Sequence, residues 1–92
     1  MKQSESIKSQ AITYDINSKA EVKFIELMHE ISLAFREKRD IRGWSQEVFT
    51  GKCPVSRSTV IATEMARGNP SLKTLVIMAE TLGYKLEIKL VK

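Results

Sequence analysis

Ser45-Gln46-Glu47-Val48-Phe49-Thr50-Gly51-Lys52-Cys53-Pro54-Val55-Ser56-Arg57-Ser58-Thr59-Val60-Ile61-Ala62-Thr63-Glu64-Met65 contains two helix starts and one interruption. Each start is a serine, whose side-chain oxygen can accept from the free N–H groups of a first helical turn. Ser45 opens a short helix from Gln46 to about Gly51. Lys52-Cys53-Pro54-Val55 interrupts it, and Ser56 opens a second helix running to about Ala66, where Arg67-Gly68-Asn69-Pro70 breaks the pattern. Two helices this short cannot each bury an apolar stripe alone. They must cross one another steeply and be held by longer neighbours, with Phe49, Val55 and Val60 as the apolar contacts at the corner.

The longer neighbours lie on either side. Upstream, Phe24, Leu27, Met28, Ile31, Ala34 and Phe35 recur at helical spacing, opened by Asn17 or Ser18 and closed by Gly43. Glu21, three residues after Ser18, completes a capping-box pattern. Val22, Ile25 and Leu33 fall off that stripe, which leaves two readings open: a broad core face, or a second surface covered by another chain. Downstream, Ser71 caps a helix with a stripe of Leu72, Leu75, Val76, Met78, Ala79 and Leu82, ended by Gly83. Tyr84 to Leu90 then alternates apolar and charged residues, the pattern of a strand. Its partner is either the Ile12–Tyr14–Ile16 segment, the same tail of a second subunit, or the edge of another protein.

The expected fold is therefore all-α, a helical bundle around a helix-turn-helix with a short C-terminal β-strand. Residues 1–17 form an N-terminal arm, 18–83 the folded domain, and 84–92 a strand that serves dimerisation.

Composition narrows the chemistry. Ninety-two residues suit one small domain, and a net charge of +4 favours a polyanionic partner. One cysteine excludes an intramolecular disulfide framework, and one cysteine with one histidine argues against a transition-metal cage, so no cofactor or metal is expected. His29 has only Glu26 as a partner at helical spacing, and reads as a surface or interface residue. Cys53 lacks an activating base, and Trp44 is expected to pack beside the fourth helix. No apolar run is long enough to span a bilayer, the first residues lack the apolar middle of a secretion signal, and a reducing cytoplasm is the natural setting. No nucleophile–base set, catalytic carboxylate pair or phosphate-binding glycine loop is present, so an enzyme is not expected.

The exposed start of the third helix carries the chemistry. An α-helix fits the DNA major groove, where all four base pairs present different donor and acceptor patterns. In Ser56-Arg57-Ser58-Thr59, an arginine can bond guanine O6 and N7 together, and hydroxyls reach bases or phosphates. Gln46, at the start of the preceding helix, sits beside free N–H groups that favour a phosphate. Arg42, Lys52, Arg67 and Asn69 are candidates to flank it.

Gly43-Trp44-Ser45-Gln46-Glu47, Val55 to Val60, Glu64 and Asn69-Pro70-Ser71-Leu72 together resemble the phage-repressor (Cro/CI-like, Xre) helix-turn-helix family, without a gap from Ser45 to Pro70. The resemblance covers about Leu33 to Leu82. It implies that Gln46 bonds a phosphate and braces the recognition helix, that Arg57, Ser58 and Ala62 face bases, and that Glu64 is structural. It further implies a symmetric dimer on double-stranded DNA, reading palindromic half-sites one helical turn apart. Leu82 to Val91 resembles the end of helix-turn-helix antitoxins, which repress their own operon and neutralise a RelE/HigB-like toxin.

Departures from the family pattern are visible too. Pro54 stands where a turn glycine is usual, Thr63 where a large apolar residue is usual, and Ala66 where glycine is common. Ile61 occupies a position that is normally polar, and Ala62 offers a base only a methyl group. Base readout then rests on Arg57, two hydroxyls and DNA shape. The other reading is a protein-interaction module whose helix-turn-helix no longer reads DNA.

Overall fold

The computed structural model describes residues 18–92. The N-terminal arm and the Ile12–Ile16 segment lie outside the described residues. Four helices follow in order: α1 (Lys19–Ile41), α2 (Gln46–Lys52), α3 (Arg57–Glu64) and α4 (Leu72–Thr81). Every one begins on a serine. Ser18, Ser45, Ser56 and Ser71 accept from the backbone N–H of Glu21, Val48, Thr59 and Thr74 respectively, so each helix start is written into the sequence as the same local bond.

The helix ends follow a second rule. After α1, the N–H of Trp44 donates to the Arg39 carbonyl and that of Gly43 to Asp40, with Gly43 at φ 72°. The end of α4 repeats this with Tyr84 to Ala79, Gly83 to Glu80, and Gly83 at φ 88°. The end of α3 makes the same pair of bonds, Arg67 to Ala62 and Ala66 to Thr63, but the left-handed residue is Ala66 at φ 58°. Left-handed backbone brings an alanine Cβ too close to the following carbonyl. The loop after α3 thus holds its shape against a steric penalty that the other two ends avoid.

Pro54 reshapes the turn between α2 and α3. Helical backbone is disfavoured for the residue before a proline, and Cys53 is extended at φ −86°, ψ 125° while its N–H still closes the helix on Phe49. The connection needs no positive φ: among the described residues only Gly43, Ala66, Gly68 and Gly83 have one. The glycine usual in such a turn is therefore dispensable here.

The core lies where the four helices meet. Phe35 of α1, Phe49 and Cys53 of the α2 end, Val60 of α3, and Leu75, Met78, Ala79 and Leu82 of the α4 end form one buried cluster, with Ile31, Trp44, Val55, Ile77 and Leu86 packed around it. Phe49 and Val60 are fully buried, as the corner requires. Thr63 is also buried, and its hydroxyl is satisfied by the Thr59 carbonyl at 2.8 Å, which lets it occupy an apolar site. The first turns of α1 border the loop after α3, with Ala20, Glu21 and Phe24 lining a pocket beside Asn69. Val22, Phe24, Ile25 and Leu27 remain exposed there, as does Leu33 further along, so of the α1 stripe only Met28 and Phe35 are buried and Ile31 half-buried.

One expectation is corrected. The described residues contain no strand, and residues 84–92 run without regular structure after Gly83. Leu86 touches the core, whereas Ile88, Leu90 and Val91 are exposed. Alternating residues make a strand only when a neighbouring strand supplies hydrogen bonds, and no other extended segment among the described residues is there to do so. Helix α3 also stops two residues short of the expected Ala66, because the left-handed turn begins there.

Replacing Ala66 by glycine should relieve the left-handed strain and raise stability by about 0.5–1 kcal/mol, net of the larger backbone freedom of glycine in the unfolded chain. The check is a shift of the urea midpoint to higher concentration with an unchanged m-value.

Candidate nucleic-acid interface

Glu64, near the end of α3, is completely buried, and three elements converge on it. The Arg39 Nε of α1 donates to Oε2 at 2.9 Å, and the Gln46 Nε2 of α2 donates to Oε1 at 3.1 Å. Arg39 also donates through Nη1 to the Trp44 carbonyl at 3.0 Å, tying in the loop after α1. The Ser32 hydroxyl of α1 reaches the Glu64 carbonyl oxygen at 2.6 Å. A charge in this position requires full pairing, because an isolated buried carboxylate costs several kcal/mol. The network therefore fixes how α3 lies against α1 and α2.

With that side of α3 held, its first turn faces outward. Ser56, Arg57 and Ser58 are exposed. The Ser56 hydroxyl is engaged locally, accepting from the Thr59 N–H at 3.2 Å and donating to Thr59 Oγ1 at 2.7 Å. Thr59 is half-buried under this cap. Ser58 lies across from Ser56 with the two hydroxyl oxygens 3.4 Å apart. Arg57 is not free: its Nη1 is 2.5 Å from Glu47 Oε1 and 3.4 Å from Thr50 Oγ1, both on α2.

Ser58, Thr59, Ala62 and Thr63 then line one wall of a shallow groove of about 310 Å³, with Arg67, Gly68, Asn69 and Pro70 opposite. The loop after α3 thus brings Asn69 and Arg67 alongside Ser58 and Ala62. Gln46, by contrast, turns its amide nitrogen inward to Glu64. Lys52 is drawn elsewhere. Its ammonium sits 5.1 Å from the centre of the Trp44 ring, with the Arg42 guanidinium at 4.4 Å from the same ring, so the lone tryptophan collects both cations. Ile61 is half-buried, which accounts for an apolar residue there. Glu26 lies 3.8 Å from Lys23, while His29 is exposed.

Three of these residues escaped the sequence reading. Arg39, Glu47 and Thr50 matter through partners 25, 10 and 7 residues away, on other helices. Periodicity within one helix cannot pair them. The signal available was Glu64 itself, a carboxylate on the inward side of a short helix, which demands a cation from some other element.

Among the described residues no helix is long and apolar enough to cross a membrane, and no group of His, Cys, Asp and Glu side chains could hold a metal ion.

A short helix turned outward by a two-helix corner and locked by a buried brace defines a helix-turn-helix domain. A family model described as helix-turn-helix matches residues 35–89, which span α2, α3, α4 and the last turns of α1. The chain belongs to the Cro/CI-like, Xre-type helix-turn-helix family, a family of DNA-binding transcriptional regulators. No curated protein and no solved structure matches it.

Arg39→Met should strand the Glu64 carboxylate and destabilise the domain by about 3–5 kcal/mol in denaturant titrations. Adding Glu64→Leu should recover much of that loss, since the double variant no longer buries a lone charge.

Proposed function

We propose that this protein is a sequence-specific repressor that inserts the start of α3 into the major groove. The observation that carries this is the outward first turn of α3, with Ser56, Arg57 and Ser58 exposed while the opposite side of the helix is buried and braced. Arg57 bonds a guanine edge, and Ser58 and Thr59 supply hydroxyls to bases or phosphates. Ala62 makes a methyl contact, and Asn69, across the groove, reaches the phosphate backbone beside it. Ser56 adds a phosphate contact, and the exposed Lys52 adds another by moving its ammonium off the Trp44 ring. Gln46 braces the helix through Glu64 and donates its second amide N–H and its backbone N–H to a phosphate of the same strand.

The repressor acts in the cytoplasm as a homodimer on a palindromic site, with residues 18–83 as the reading domain and 84–92 as the subunit contact. Support for the dimer comes from Ile88, Leu90 and Val91, whose apolar side chains are exposed among the described residues. The resemblance of residues 82–91 to antitoxin tails extends the proposal: the chain also binds and neutralises a toxin encoded beside it. The exposed Val22, Phe24, Ile25 and Leu27 favour a second reading, a protein-interaction module that does not read DNA.

The test is binding of the full chain to its own upstream DNA over a salt series. Log affinity should fall linearly with log salt. Arg57→Ala should cost about 1–3 kcal/mol on the preferred sequence and relax discrimination at one base position. Binding no tighter to upstream than to random DNA, together with co-purification of the product of the adjacent reading frame, would establish the interaction module instead. Ile88→Asp with Leu90→Asp should shift the chain from dimer to monomer in sedimentation equilibrium.

A further inference from the structure

We propose that Glu47 is a specificity-determining residue that positions Arg57 and keeps it from being satisfied by a phosphate. The proposal deepens the DNA-reading role given above and rests on it.

Glu47 and Thr50 both engage the same nitrogen of Arg57, Nη1, at 2.5 and 3.4 Å. That leaves Nε and Nη2, two parallel N–H groups on one edge of the guanidinium, and a guanine presents O6 and N7 to two such donors. The pair joins the second residue of α2 to the first residue of α3, so the arginine is anchored across the corner rather than along its own helix. Both side chains are largely exposed, at 59% for Arg57 and 66% for Glu47. An exposed ion pair contributes little to folding, so stability does not account for it. Its consequence falls on binding.

An untethered arginine on a DNA-facing helix reaches any phosphate with ease, and such contacts carry no sequence information. A carboxylate beside the guanidinium opposes this in two ways. It repels the phosphate oxygens that would compete for Arg57, and it holds the side chain in one arrangement, which lowers the ordering cost of meeting a base. Random DNA is therefore bound less well than a bare arginine would allow, while a site with guanine at the right position is not penalised equally. A glutamate on a surface that must approach a polyanion otherwise only weakens binding.

The experiment compares the full chain with Glu47→Gln, each on its preferred duplex and on a random duplex of equal length over a salt series. Glu47→Gln should bind random DNA a few-fold more tightly, and its preference for the specific duplex should shrink by roughly three- to tenfold, part of what a bidentate base contact contributes. In an Arg57→Ala background the same change should leave the preference unaltered, because there is no guanidinium to position. The free protein should also show slowed rotation about the Arg57 Nε–Cζ bond by nitrogen-15 NMR, lost in Glu47→Gln. A wild type that discriminates while Glu47→Gln discriminates equally overturns this role and leaves the repressor function standing. An equal loss of preference with and without Arg57 overturns it as well. A wild type that prefers no sequence overturns the DNA-reading role itself, and this one with it.

Discussion

A carboxylate with no access to water governs the arrangement of this bundle. Glu64 brings a full charge into the interior, and the protein meets it with one guanidinium nitrogen from α1 and one amide nitrogen from α2. Apolar contacts among Phe35, Phe49, Val60 and Met78 make the core cohesive, but they are non-directional and would tolerate small rotations of a short helix. The Glu64 bonds are directional. They admit one orientation of α3, and Ser32 holds the same residue by its carbonyl oxygen. An eight-residue helix is about 12 Å long, so an orientation fixed at its last turn is transmitted directly to its first.

Such a device separates the two jobs of α3. Its inner side and C-terminal end carry the energetics, while its outer side and N-terminal end are left to vary. The polar side chains of the first turn bond mainly to each other and to α2, and none is needed for the core. This division explains why a sequence with Pro54 in the turn, Thr63 in the interior and Ala66 at the helix end can depart from the usual pattern without losing the architecture. Each departure is absorbed locally: by an extended Cys53, by a hydroxyl turned to the Thr59 carbonyl, and by a strained left-handed backbone.

Much of the fold was legible in the chain because helix boundaries are local. Serine caps and the glycines after α1 and α4 act within a few residues, and all four expected helices match the observed ends to within two residues. The fate of residues 84–92 was not legible, since a strand is a relation between two segments and alternation supplies only one of them. The exposure of Ser56, Arg57 and Ser58 followed from the cap and the corner. What did not follow was the tether on Arg57, or the carboxylate through which Gln46 gives the expected brace, because both depend on side chains meeting across helices. Lys52 shows the same limit: nothing in its neighbours along the chain tells that it leans over Trp44.

The surroundings of Trp44 give the molecule an optical property as well as a structural one. The chain has a single indole, and it stands between the end of α1 and the end of α2 with one cation reaching the ring from each of those ends. Its backbone carbonyl is held by Arg39, the residue that neutralises Glu64. The emission of this indole is therefore coupled to the internal ion pair, to the joint between two helices, and, through Lys52, to any phosphate that draws this cation off the ring. Light from Trp44 thus reports whether the frame is assembled and, by way of a single lysine, whether it is occupied.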